Sequence, residues 1–299
     1  MAASSNYEST HLLSIEPNTY WSNTTGQVTS SDPVDVEFDI DGNILVCNAT
    51  DEILRFSQQG KFLSRFSVGL DRKIRGMSCN EKDEIFMTDG NAKEVIVCDD
   101  EGKVTSNISV LDPSENKEKV NIRGLVVSDK SGEVFVIVDY QVRRLKKDGK
   151  LLNKIGINDT GSYYRTGKLE GPCYIALDEN QNVLVNDGNQ KRVQVFRPDG
   201  QFVRSLRGGR QIERPHLGCF DVPGGIAVFE NGSVAVGCQR GLFVCKNKSY
   251  GPVIRRFDDE NSSNSIMGTK GIATYRNVMA VAITVRSAEP TIELFKYDY

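Results

Sequence analysis

Three cations recur at one place in a repeating phrase. Arg75 precedes Gly76, Arg123 precedes Gly124 and Lys270 precedes Gly271, each just ahead of a short apolar run. In the remaining copies the same slot holds Val34, Cys173 and Gly224, and the next position reads Asp35, Gly76, Gly124, Tyr174, Gly225 and Gly271. Guanidinium and ammonium groups drawn to one axis would concentrate positive potential and hold an anion, even in a chain of net charge -3. The competing use for Arg75 and Arg123 is pairing with nearby carboxylates such as Asp71 or Asp35.

A second basic group is local in sequence. Arg204, Arg207, Arg210 and Arg214 run towards His216, the preceding loop carries Tyr163, Tyr164, Arg165 and Lys168, and Lys191 belongs to the same copy of the phrase. Arginine forks bind phosphate, and aromatic faces stack bases. With Tyr174 nearby, Lys191, Arg207, Arg210 and Arg214 would extend a site built on Arg75, Arg123 and Lys270 along one side. Glu170, Glu213 and Asp221 dilute the patch, so a solvated loop stands beside ligand contact as its reading. The Tyr163 and Tyr164 pair is expected to pack down as a lid, with a stacking platform as its other use. Arg143, Arg144, Lys146 and Lys147 are expected on the far face or outer rim, solvated.

These residues need a scaffold, and the repeat supplies it. Strand-like units recur about every 40–50 residues, a period that signals a propeller or solenoid. Each unit reads as four short strands. The first strands are placed at residues 34–38, 76–79, 124–127, 175–177, 225–229 and 271–275. Turns rich in Asp, Asn and Gly follow, then a β-branched second strand, a third strand, and a glycine turn into the fourth. The sixth unit stops near Tyr297 after its third strand, and residues 12–15 are expected to supply the missing one. The expected fold is all-β: a six-bladed β-propeller closed by an N-terminal strand in the last blade, which protects edges that an open array would expose. One domain spans about residues 11–299, with 1–10 as a flexible lead-in. The longer connections at 111–120 and 258–267 read as solvated loops on one face.

Composition narrows the function classes. A pI near 5.6 argues against bulk attraction to nucleic acid, DNA included, but permits a local patch. No apolar run reaches membrane-spanning length, and residues 1–10 lack a signal-peptide core. Seven cysteines with no C-x-x-C pair read as free buried thiols in a reducing, cytoplasmic setting. The sequons at Asn23, Asn48 and Asn107 pull towards secretion instead. Catalysis is the first function to weigh. Only His11 and His216 are available as imidazoles, neither at a channel position, and no G-x-S-x-G elbow or zinc motif occurs. Arg and Lys at the channel would repel a divalent cation, so the expectation is a non-catalytic module with no cofactor and no metal.

The copy at residues 171–207 runs Gly171-Pro172-Cys173-Tyr174-Ile175-Ala176-Leu177-Asp178, then Asn186-Asp187-Gly188-Asn189, then Lys191-Arg192-Val193-Gln194-Val195-Phe196, then Asp199-Gly200-Gln201-Phe202. It resembles the NHL repeat, with Tyr174 where that repeat usually has glycine, and the other copies match by pattern and spacing only. One Trp and two His are too few for a WD40 phrase, and Gly-Gly pairs are too few for kelch. The chain looks like the propeller of a TRIM-NHL protein without its RING, B-box and coiled coil. The resemblance implies that Arg192 braces its blade. It also implies a binding module for single-stranded or stem-loop RNA, serving post-transcriptional repression. The alternative it implies is an interaction platform that recruits partners, such as an acidic protein segment, to a ubiquitin ligase.

Overall fold

A computed structural model describes residues 9–17, 32–69, 72–111, 115, 120–157, 166–206, 223–238, 241–245, 253–256, 266–285 and 290–297. Its strands form six four-stranded antiparallel sheets. Blade one holds β2 (Pro33–Phe38), β3 (Ile44–Asn48), β4 (Glu52–Phe56) and β5 (Phe62–Ser67). Blade two holds β6 (Ile74–Cys79), β7 (Ile85–Asp89), β8 (Glu94–Cys98) and β9 (Val104–Ser109). Blade three holds β10 (Ile122–Val127), β11 (Val134–Val138), β12 (Gln141–Leu145) and β13 (Leu151–Ile155). Blade four holds β14 (Pro172–Leu177), β15 (Val183–Asp187), β16 (Arg192–Phe196) and β17 (Phe202–Leu206). Blade five holds β18 (Pro223–Val228), β19 (Val234–Cys238), β20 (Gly241–Cys245) and β21 (Val253–Arg256). Blade six holds β22 (Ile266–Tyr275), β23 (Val278–Val285) and β24 (Thr291–Tyr297), and its outer strand is β1 (Ser9–Ile15). The closing strand pairs antiparallel with β24, from Ser9 opposite Tyr297 to Ile15 opposite Ile292.

The ring closes through its inner strands. β2 packs on β6, β6 on β10, β10 on β14, β14 on β18, β18 on β22, and β22 back on β2. The second strand of every blade is β-branched or apolar, and β3, β7, β11, β15 and β19 are buried along their whole length. Such strands cannot face water on either side, so each sheet is sandwiched between two neighbours. One apolar cluster fills each of the six interfaces; that between blades six and one joins Ile15, Val36, Phe38 and Ala280. The fold is thus stabilised between blades rather than around one centre, which leaves the axis free for polar groups.

The turns follow the residues that build them. Asp39 accepts from the Asn43 amide N–H at 2.7 Å and the Asn43 side chain at 3.0 Å, and Asp178 does the same for Asn182 at 2.8 and 2.9 Å. These side chains stand in for backbone turn partners. Gly102 opens β9 with φ +86°, and a Cβ there would lie 2.2 Å from the Phe66 ring of blade one. Both left-handed backbone and close approach therefore require glycine at that turn.

Three details depart from the sequence reading. The closing strand begins at Ser9 rather than at residue 12, taking in the end of the expected lead-in, because Ser9 and Thr10 continue the ladder opposite Tyr297 and Lys296. The inner strands of blades two to six begin earlier than expected, at Ile74, Ile122, Pro172, Pro223 and Ile266, because each continues back through a bulge. Arg143 is not on a solvated rim. It is fully buried, pairs with Glu115 at 2.6 Å and donates to the Val110 carbonyl at 2.9 Å. It lies opposite Val136 in the ladder, with its side chain inside the sheet stack, so it ties down the preceding connection. Arg144 is part-buried and binds Glu133.

A candidate anion-binding mouth

All six inner strands share one irregularity. The pairing of β2, β6, β10, β14, β18 and β22 with their neighbours slips between Pro33 and Asp35, Ile74 and Met77, Ile122 and Leu125, Pro172 and Ile175, Pro223 and Ile226, and Thr269 and Ile272. A bulge adds a residue to one strand and re-aims the side chains around it. The repeated slot falls inside it every time. Val34, Arg75, Arg123, Cys173, Gly224 and Lys270 consequently line a single cavity of about 520 Å³ at one end of the axis. Arg75 and Lys270 are exposed there, and Arg123 is part-buried.

The charges are not spent on Asp35. Its carboxylate is engaged by backbone, accepting from the N–H groups of Val36 at 3.1 Å and Met77 at 3.0 Å. Asp71 lies outside the described residues. Arg123 instead donates to the Cys173 thiol at 2.6 Å, and the Asn121 amide, with its oxygen turned inward, accepts from Nε at 3.1 Å and Nη2 at 3.2 Å. Neither contact is an ion pair, and together they hold the guanidinium plane in the mouth, which Asp32 also lines.

The next position forms the floor. Gly76, Gly124, Gly225 and Gly271 let the inner strands abut: a Cβ on Gly76 would lie 2.8 Å from the Gly124 Cα, and one on Gly225 would lie 2.3 Å from the Lys270 carbonyl. The two copies that are not glycine fill the space that remains. Tyr174 of blade four donates its hydroxyl at 3.1 Å to the Val34 carbonyl of blade one, which stands across a six-fold ring from it. Burial raises the phenol well above its usual pKa, so it stays a neutral donor. Asp35 faces away from the basic cavity, into a second one of about 630 Å³ at the other end.

That second mouth has the opposite sign. Glu37, Glu81, Asp129, Asp178, Glu179 and Glu230 line it, against Lys130 and Arg276. Burial is the main cause that lifts the Asp35 carboxyl to about 7, and also the main cause that lifts Glu37 to about 8, with repulsion from Asp35 and Asp129 adding to it. The axis is therefore basic at one end, acidic at the other, and closed between them.

The remaining sequence candidates divide. Lys191 is exposed in the turn between β15 and β16, held at φ 50°, and chain alternation puts that turn on the face of the basic mouth. Tyr174 lies in the floor, with its ring available as a lining rather than as a surface platform. Arg207, Arg210, Arg214, His216, Tyr163 and Tyr164 fall outside the described residues, as do most of the two long connections and residues 1–8. Arg192 is buried and braces its blade through Asp187 at 3.2 Å and the Lys168 carbonyl at 3.2 Å. Cys173 and Asn121 are partners that the sequence argument did not single out. Cys173 occupies the repeated slot, so that signal was there; Asn121 has none, since its role depends on the bulge. Among the described residues no group of three or more His, Cys, Asp or Glu side chains is arranged to hold a metal, and no helix is long and apolar enough to cross a membrane.

No family profile matches the chain, and no curated protein does. Solved structures do. A streptogramin B lyase covers 98% of this chain and 98% of its own, with TM-score 0.60 at 11% identity. Virginiamycin B lyase from Staphylococcus aureus covers 98% and 89%, with TM-score 0.57 at 13% identity. A catalytically inactive histidine-to-alanine variant of that lyase, with quinupristin, covers 96% and 99%, with TM-score 0.57 at 13% identity. At these identities the likeness is one of fold. This chain is a six-bladed β-propeller, of the architecture that those lyases share.

The neighbours correct one expectation. The sequence reading took this chain for a non-catalytic module because the inner slots offer neither imidazole nor a metal cage. These lyases are enzymes, so the architecture does not support that exclusion. The physical reason is that the argument covered only the equivalent slots of the inner strands. A propeller also carries chemistry on face loops, whose residues differ from blade to blade and are not predicted by the repeat.

Proposed function

We propose that this propeller is a ligand-binding module of the NHL kind, and that its basic mouth takes single-stranded or stem-loop RNA. The observation that carries the reading is the convergence of Arg75, Arg123 and Lys270, from three blades, on one 520 Å³ cavity in a chain of net charge -3. Three cations face one carboxylate, Asp32, in this mouth, whereas acidic side chains outnumber the two cations at the other, so an approaching polyanion is steered to the basic end. Unstacked strands suit such a concave mouth better than a duplex, because their bases and phosphates can both reach it. The buried thiols of Cys47 and Cys98 favour a reducing compartment, in line with a cytoplasmic repressor and a TRIM-like parent chain.

The test is fluorescence anisotropy with a short pyrimidine-rich strand at two salt concentrations. Arg75→Glu with Arg123→Glu is compared with Lys103→Glu with Lys150→Glu, two exposed lysines on turns at the acidic end. The mouth variant should lose binding and flatten the salt slope by roughly 0.7 per phosphate contact removed. Equal losses in the two variants would mean diffuse attraction without a site. Capture of an acidic protein segment instead, with no RNA bound, would assign the mouth to a protein partner. The strand is recovered and analysed by mass, so any turnover of it is read in the same experiment.

A further inference from the structure

We propose that the basic mouth is a blind pocket for a phosphomonoester, and so takes the phosphorylated end of a strand rather than its middle. The inference rests on the RNA reading for its macromolecule, but not for its chemistry.

The first support is closure. A strand that threads a channel needs an exit, and among the described residues a floor stands across this one. The glycine ring brings neighbouring inner strands into backbone contact, and Tyr174 bridges what is left by its bond to the Val34 carbonyl. The basic cavity ends at that floor, and Asp35 turns its carboxylate to the other side. A ligand enters and leaves by the same opening.

The second support is charge and size. A phosphomonoester carries about -1.5 to -2 near neutral pH, against -1 for a diester, and it offers three oxygens instead of two. Arg75, Arg123 and Lys270 reach the mouth from blades two, three and six, so they surround a point instead of following a line. A backbone track would require cations in a row, as grooves for internal nucleotides have. The volume lies within the range of about 300–1,000 Å³ usual for small-ligand sites.

The third support is an unused donor. Thr269 is only 4% exposed and lines this cavity beside Lys270; its hydroxyl packs over Gly224 and Gly237 without a hydrogen-bond partner, and a turn of the side chain would offer it to the ligand. Buried hydroxyls are ordinarily satisfied, and a phosphate oxygen is a strong acceptor. The arc of Val34, Cys173 and Gly224 leaves room for the attached sugar, and Asp32 beside Val34 is placed to accept from a sugar hydroxyl.

The experiment uses the full chain and one pyrimidine decamer in three forms: 5′-phosphate, 3′-phosphate and hydroxyl at both ends. Uridine monophosphate is the small probe, read by protection of Cys173 against iodoacetamide, with the labelled site mapped by mass. One phosphorylated form should bind at least about ten-fold tighter than the hydroxyl form, as charge-assisted bonds to one extra charge allow. Which form wins tells the 5′ end from the 3′ end. Lys270→Gln and Arg75→Gln, both exposed and so harmless to folding, should abolish that preference. Equal binding of all three forms overturns the terminal pocket and leaves the RNA reading standing. No strand binding with Cys173 protected by the monophosphate overturns RNA and upholds the pocket. No strand binding and no protection overturns both.

Discussion

Ile15 and Leu12 sit three residues apart on the strand that closes the ring, and replacing each by alanine tests the closure. Ile15 is 4% exposed, stacked in the cluster that joins blades six and one, whereas Leu12 is 44% exposed at an irregularity of the strand. Truncating a buried Ile to Ala costs about 2–5 kcal/mol, from lost transfer energy and the cavity left behind. The Ile15 site can relax only partly, because Ile292, Leu294 and Ala280 belong to β24 and β23, which are held by their own ladder. A cost of about 3 kcal/mol is therefore expected for Ile15→Ala, and less than about 0.5 kcal/mol for Leu12→Ala. In a chain of this size the first lowers the melting temperature by roughly 5 °C and the second barely moves it. Differential scanning calorimetry and urea titration of the two variants measure the difference. Equal small effects would show that β1 is not the closing strand in solution. Equal large effects would show a different register, with Leu12 turned inward.

Two further perturbations probe the frame and the axis. Gly102→Ala should destabilise by about 2 kcal/mol or more in urea titration, since it places a Cβ against Phe66 at positive φ; a change under about 0.5 kcal/mol would mean the turn adopts another form. Glu37 has its folded pKa raised from 4.5 to about 8, so the folded state binds its proton more tightly than the unfolded state does. Its contribution is fully present below about pH 4.5 and is lost as pH rises through 8, so wild-type stability should fall across that window and Glu37→Gln should flatten the fall. Denaturation curves at pH 5 and pH 8.5 decide it, and an unchanged slope in the variant would remove Glu37 as the cause.

The sequence by itself determined the ring. A period of strands, turn residues that hydrogen-bond their own backbone, and a last repeat one strand short are all local signals, readable without knowing what touches what. The slot of Arg75, Arg123 and Lys270 was legible for the same reason: symmetry carries equivalent positions to one place, and these three do line one cavity. What only the tertiary structure decided depends on distances across the ring. Tyr174 meets a carbonyl 140 residues away because four glycines set the axis narrow enough for one phenol to span it. The same closeness buries Asp35 and separates a basic mouth from an acidic one, although both are built from the two ends of the same strands. Arg143 makes the point in reverse. Its run of cations reads as a solvated rim, and it is buried because Glu115 and the Val110 carbonyl come to it from a connection whose path no pattern in the sequence encodes. Repetition specifies which side chains share an environment. The radius of the ring and the courses of its connections specify what that environment is.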